Sequence, residues 1–191
     1  MIINIDTIIK DCDLNIDIRQ KSTAVSMPLS QEDEDIIQSM YTYVKNSTDE
    51  ELAVKEKLKP AVGIAAIQIG IPKKMLVVIC DDYDHNGQLI HYEYALINPR
   101  IVSSSIQQIA LKSGEGCLSV EDPHPGYVYR SARIKIDAWD YLTKKQVQIK
   151  ARNFLAIVLQ HEMDHLNGIL FYDHINQEDP FEIKKDAILL D

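Results

Sequence analysis

With 191 residues, 46% of them hydrophobic, the chain can bury one proper core but hardly two, so a single domain is expected across 1–191. A formal net charge of -9 gives no basic surface for phosphate, which argues against nucleic acid as a partner and favours a small or neutral substrate. No apolar run reaches the ~20 residues of a membrane span, and Met1-Ile2-Ile3-Asn4-Ile5-Asp6 lacks the regions of a secretion signal, so no membrane partner and a cytoplasmic location are expected.

Residues 1–30 alternate polar and apolar without a clean period and read as an extended arm with one short helix. Ser30 followed by Gln31-Glu32-Asp33 supplies an N-cap serine with acids in the first turn, and Ile36, Ile37, Met40, Tyr43 and Val44 recur at helical spacing. A helix over about 31–46 follows. The charged stretch 47–60 continues as helix or loop, and 61–68 breaks the pattern before Pro72.

From 75 to 151 β-branched and aromatic runs alternate with turn residues. Strands are predicted over 75–80, 89–98, 101–111, 128–140 and 146–151. Asp84-His85-Asn86-Gly87 is a hairpin signal because Asn and Gly tolerate positive φ. Thr143-Lys144-Lys145 turns a second hairpin. Asn153 is placed to cap a helix reaching about Asn167, with Gly168 as terminator. The architecture read from this order is α+β, with one late, central helix.

That helix carries His161-Glu162-Met163-Asp164-His165. At 3.6 residues per turn the two imidazoles share a face and can reach one metal, with Glu162 beside them. Phe154, Leu155, Ile157, Val158 and Leu159 make the helix apolar nearly all round, hence buried, and buried histidines and carboxylates need partners. An open catalytic site takes a third protein ligand. The metzincin-like register would put a histidine where Phe171 stands, and a gluzincin-like site would need Glu178 or Glu182. A structural site would be closed by His124 or His174. The remaining candidate is Cys117, in the glycine-flanked loop Gly114-Glu115-Gly116-Cys117-Leu118-Ser119. The other two cysteines differ in kind: Cys80 ends an apolar run and reads as core, while Cys12 lies between Asp11 and Asp13 without functional context. Three scattered cysteines are a poor basis for disulfides.

Three segments together resemble the peptide deformylase family. Val62-Gly63-Ile64-Ala65-Ala66-Ile67-Gln68, Glu115-Gly116-Cys117-Leu118-Ser119 and His161-Glu162-Met163-Asp164-His165 stand in the order and approximate spacing of its three motifs. The resemblance spans about residues 60–175, and Val120 after Ser119 is similar to the second, Gram-positive-like class. It implies antiparallel β-sheets around a central metal-binding helix, and removal of the formyl group from N-formyl-methionyl nascent peptides near the ribosome. It also implies one divalent metal ion on Cys117, His161 and His165, physiologically ferrous iron, with zinc, nickel or cobalt able to substitute.

The same resemblance implies Glu162 as the proton carrier and Gln68 and the Leu118 N–H as oxyanion donors. Arg130 resembles the family's partner for Glu115, and Asp164 is expected to orient a ligand or join that pair. An extended substrate is expected between Val62-Gly63 and Gly116 to Leu118. Phe154, Ile157 and Val158 point, by helical spacing from His161, to a methionine pocket walled by Val62 and Leu118. One departure is Ala61, where the family has glycine; alanine tolerates positive φ poorly, so an altered groove mouth is expected.

Overall fold

The computed structural model describes residues 1–13, 17–84 and 86–191; part of the arm and His85 of the predicted hairpin loop lie outside the described residues. The arm begins with a 3-10 turn, Ile5–Thr7, capped by the Asn4 side chain. Helix α1 spans Gln31–Ser47, and the Ser30 hydroxyl accepts the Asp33 N–H at 3.1 Å as its cap. The charged stretch after it folds into α2, Glu50–Glu56, capped by Asp49 and closed by Lys57 in the left-handed region. Residues 61–68, in which the sequence shows only a broken pattern, form strand β1, Gly63–Ala65, and a 3-10 turn, Ala66–Ile69.

Two sheets follow. The larger contains β1, β2 (Met75–Tyr83), β3 (Leu89–Ser104), β6 (Arg133–Asp140) and β7 (Lys145–Arg152) in the antiparallel order β1-β2-β3-β6-β7. The smaller joins β5 (Arg130–Ser131), β4 (Gln108–Leu111) and β8 (Ile188–Leu190), with β4 and β8 parallel.

Two predicted strands are therefore divided. The run 101–111 splits, its first residues ending β3 beyond register shifts between Ile97 and Arg100 and between Ile101 and Ser103, its last forming β4. The run 128–140 breaks at Ala132, between β5 and β6. Both breaks meet at one corner, where Ser105 N–H donates to Arg133 C=O and Ala132 N–H to Gln107 C=O, each near 2.9 Å or below. The backbone stays paired there while the strands change sheets.

Helix α3, Asn153–Leu166, packs on one face of the large sheet, and α1 packs on the other. Strand β2 is thus covered on both sides: Leu76, Val78 and Cys80 face α3, whereas Met75 and Val77 face α1. This explains why 75–80 reads as a continuous apolar run rather than an alternation. Each large aliphatic side chain buried here, Leu96, Ile136 and Leu159 among them, contributes roughly 1.5–3 kcal/mol. Burial also pushes the Cys80 thiol up to about 12, so it stays protonated.

The start of α3 departs from its predicted cap. Arg152 occupies the N-cap position without a side-chain bond, and Asn153 is the first helical residue, with φ 51. The Asp82 carboxylate of β2 instead accepts the Leu155 N–H at 3.1 Å. A carboxylate supplied by the sheet satisfies a free amide and the positive end of the helix dipole. At the other end Gly168 takes φ 76, and Ile169 N–H returns to the Asp164 carbonyl at 3.0 Å.

A Cβ on Gly168 would collide with the Arg19 backbone carbonyl of the arm. Gly168→Ala should therefore cost left-handed strain of about 1–3 kcal/mol plus that clash. The thermal midpoint should fall by more than the ~2–4 °C that 1 kcal/mol is worth in a chain of this size. An unchanged melting curve would show that the arm yields freely.

Candidate active site

His161 and His165 project from one face of α3, and the loop between β4 and β5 brings Cys117 to them. Gly114, at φ 74, turns the chain sharply after β4, its N–H returning to Leu111 C=O. The Cys117 sulfur then lies 3.2 Å from His165 Nε2, and one ligand atom each from Cys117, His161 and His165 fall within 4.8 Å of one another. Among the described residues this is the one such group; Glu178, Glu182, His124 and His174 do not join it. His174 instead bonds Asp164 at 2.7 Å, and His124 stacks on Tyr172 at 4.1 Å.

Behind the imidazoles lies a chain of charges. Arg130 grips Glu115 through Nε and Nη2 at 2.6 and 2.9 Å and reaches Asp164 through Nη1 at 2.7 Å. The second Glu115 oxygen lies 2.8 Å from His161 Nδ1. Both side chains of the Arg130–Glu115 pair are at most 4% exposed. Burial by itself would raise the Glu115 pKa, but the bonds to His161 and Arg130 outweigh it and hold it at about 2. Burial likewise opposes charge on His161, yet Cys117 and Glu115 raise its pKa well above the ordinary value. His165 goes the opposite way, held neutral by burial and by the charges of His161 and Arg130. Phe171 stacks on the His161 ring, centroids 6.2 Å apart.

Glu162 is 4% exposed, and burial pushes its carboxyl up to about 7 against the opposing pull of His161 and Arg130. Its Oε2 and His165 Nδ1 have no hydrogen-bond partner among the described residues. Gly63 makes room for Glu162, because a Cβ there would meet Glu162 Oε1 at 2.5 Å. Gln68 is 2% exposed; its Oε1 accepts the Ala65 N–H at 2.8 Å, which turns the amide nitrogen toward Ser119 Oγ at 3.2 Å and Cys117 Sγ at 3.5 Å.

A sulfur and two imidazole nitrogens converging beside orphaned buried polar atoms fit one divalent ion. His161 Nδ1 is committed to a carboxylate, as metal-bound histidines commonly are, which leaves Nε2 for the ion.

A cavity of about 430 Å³ opens in front of this group. Val62, Gly63, Gly116, Phe154, Ile157 and Val158 line it together with Gln68, Glu115, Cys117, Leu118, His161 and Glu162. His165, Arg130 and Asp164 lie off it, and the last two face a second cavity behind. Ala61 is absent from the described residues with positive φ, so its replacing glycine carries no left-handed strain. Sequence reading missed Lys10 and the contacts of Ser119, Phe171 and His174. No local pattern marks them, since each partner lies elsewhere in the chain.

Residues 7–181 match the polypeptide deformylase family. Peptide deformylase 2 of Geobacillus stearothermophilus is 49% identical over 171 residues, covering 90% of each chain. The peptide deformylase of Ligilactobacillus salivarius is 43% identical over 189 residues, 99% of this chain and 100% of its own. The Met-Ala-Ser-bound class I type b peptide deformylase of Acinetobacter baumannii superimposes with a TM-score of 0.65 at 26% identity, covering 88% of this chain and 96% of that one. Among the described residues no helix is long and apolar enough to cross a membrane. The chain belongs to the peptide deformylase family, in its second, Gram-positive-like class, and is a hydrolase that removes the N-formyl group from newly synthesised polypeptides.

Proposed function

We propose that Cys117, His161 and His165 hold the metal for this hydrolysis, that Glu162 carries the proton, and that Gln68 and the Leu118 N–H receive the oxyanion. The observation that carries the reading is the meeting of the Cys117 loop with an α3 histidine pair, beside the cavity that Cys117, His161, Glu162 and Gln68 line. A divalent ion on these ligands supplies Lewis acidity and makes water a nucleophile near neutral pH. Glu162, buried and with one free oxygen, takes the proton released as water attacks the formyl carbon. The Gln68 amide, its oxygen already committed to Ala65, offers N–H to the oxygen that gains charge. Glu162 then delivers its proton to the leaving amine, and formate departs.

Substrate binding follows from the edge position of β1, which pairs only with β2 in its sheet. An extended formyl-Met chain adds itself along Val62-Gly63, with Gly116 to Leu118 opposite, and backbone bonds make the contact indifferent to sequence. Phe154, Ile157 and Val158, which line the cavity, take the methionine side chain. The tripeptide held by the Acinetobacter relative has this chemistry. Arg130 and Asp164 position His161 through Glu115. The chain acts as one catalytic domain in the cytoplasm, near the ribosome that supplies its substrates, with ferrous iron as its metal.

Incubation with formyl-Met-Ala-Ser should release formate without internal cleavage. Glu162→Gln should retain metal and lose turnover, and near-normal rate would remove Glu162 from its role. Gln68→Ala should lower kcat by the ~10²–10³ typical of one lost oxyanion donor. Gly63→Ala should displace the Glu162 carboxylate, cutting kcat while metal analysis reads one ion per chain. Anaerobic purification should yield iron and an activity lost on exposure to air; stoichiometric zinc with undiminished activity in air would refute the iron assignment.

A further inference from the structure

The amino-terminal arm touches all three segments that build the site. Ile9 N–H donates to Gln68 C=O at 2.8 Å, and Asp11 N–H to Ser119 C=O at 2.9 Å. Between them the Lys10 ammonium donates to Leu118 C=O at 2.7 Å. Further on, Ser22 N–H donates to Leu166 C=O at 2.9 Å, and Arg19 bonds both oxygens of Asp173 at 2.7 and 3.0 Å.

We propose that residues 9–11 are part of the catalytic apparatus, with Lys10 a positioning residue that aligns the two oxyanion donors, Gln68 and Leu118. This rests on the reading of those two groups given above. Three consecutive arm residues bridge two segments that no strand pairing joins among the described residues: β1 and its turn belong to the large sheet, whereas the Cys117 loop leaves the small one. Leu118 carries its N–H and C=O on either side of one Cα. With its carbonyl held by Lys10 and the next carbonyl held by Asp11, its N–H can swing only about its own φ.

Ser119, fixed in the same way, presents Oγ to the Gln68 amide at 3.2 Å and its N–H to the Cys117 sulfur at 3.4 Å. The Lys10 side chain is 19% exposed, and Glu121, which it pairs with at 3.6 Å, is itself 65% exposed. Its short contact is therefore the backbone carbonyl. A charged donor makes a bond of this kind about twice as strong as a neutral one, and donor placement tolerates little error, since a misplacement near 1 Å costs about 10²-fold in rate.

The test uses full-length, metal-loaded enzyme with formyl-Met-Ala-Ser. Lys10→Met keeps the stem and removes the ammonium. It should lower kcat by about ten- to a hundredfold, with KM and metal content within twofold of the parent, while Lys10→Arg recovers most of the rate. In a Gln68→Ala background the same change should cost less, because one of the two donors it aligns is already gone. If Lys10→Met melts below the assay temperature, the cycle is run below its midpoint, with the parent measured at the same temperature. An unchanged kcat in Lys10→Met, or losses that multiply independently in the double variant, would leave Lys10 a fold contact and overturn the proposal. Full activity in Gln68→Ala alone would sink the oxyanion reading and this proposal together, so the two failures are told apart.

Discussion

The ion pair between Arg130 and Glu115 is the contact on which the site depends. Three carboxylates, Glu115, Glu162 and Asp164, and two imidazoles sit on or against a helix buried in the core, where an isolated charge would be costly. Arg130 neutralises Glu115 through two hydrogen bonds and Asp164 through a third, and Glu115 passes the constraint on to His161. Losing one member of such a buried pair strands the other, at roughly 3–5 kcal/mol. The pair thus holds the Cys117 loop to α3 and sets the ring orientation of His161 at once.

The opposed electrostatics of neighbouring groups follow from the same arrangement. His161 has carboxylate and sulfur beside it, while His165, one turn on, meets mainly burial and positive charge. Glu162 has no such partner as Glu115 enjoys, so burial dominates and its proton affinity rises. One carboxylate is thereby kept ionised as a support, and its neighbour is left free to exchange a proton.

The fold's contribution is to deliver these groups from separate sheets. Strand β1 stands at the edge of the larger sheet and the Cys117 loop leaves the smaller one, so the cavity opens between them with α3 as its floor. The corner at Ala132, where one predicted strand divides, turns the chain so that Arg130 is buried beneath that loop. The arm's backbone N–H groups partner carbonyls in two of the motif segments, at Gln68 and Ser119, and at the end of α3, at Leu166.

Much of this was legible along the chain. Helical spacing placed His161 and His165 on one face, the apolar run of α3 announced its burial, and Ser30 marked the start of α1, because capping and periodicity act over three or four residues. The third ligand was not decided by spacing: Cys117, Glu178 and Glu182 all remained open until resemblance favoured the first, and the convergence of Cys117 with the histidines is a distance across the fold. Short-range rules failed where a remote group intervened, as when Asp82 rather than Asn153 satisfied the start of α3, or when two strand-like runs bent at a shared corner. The amino-acid sequence by itself determined which groups are candidates for the chemistry and the order in which they come. Tertiary structure alone decided which of them meet, because hydrogen bonds and ion pairs act over a few ångströms of space, however many residues of chain separate the partners.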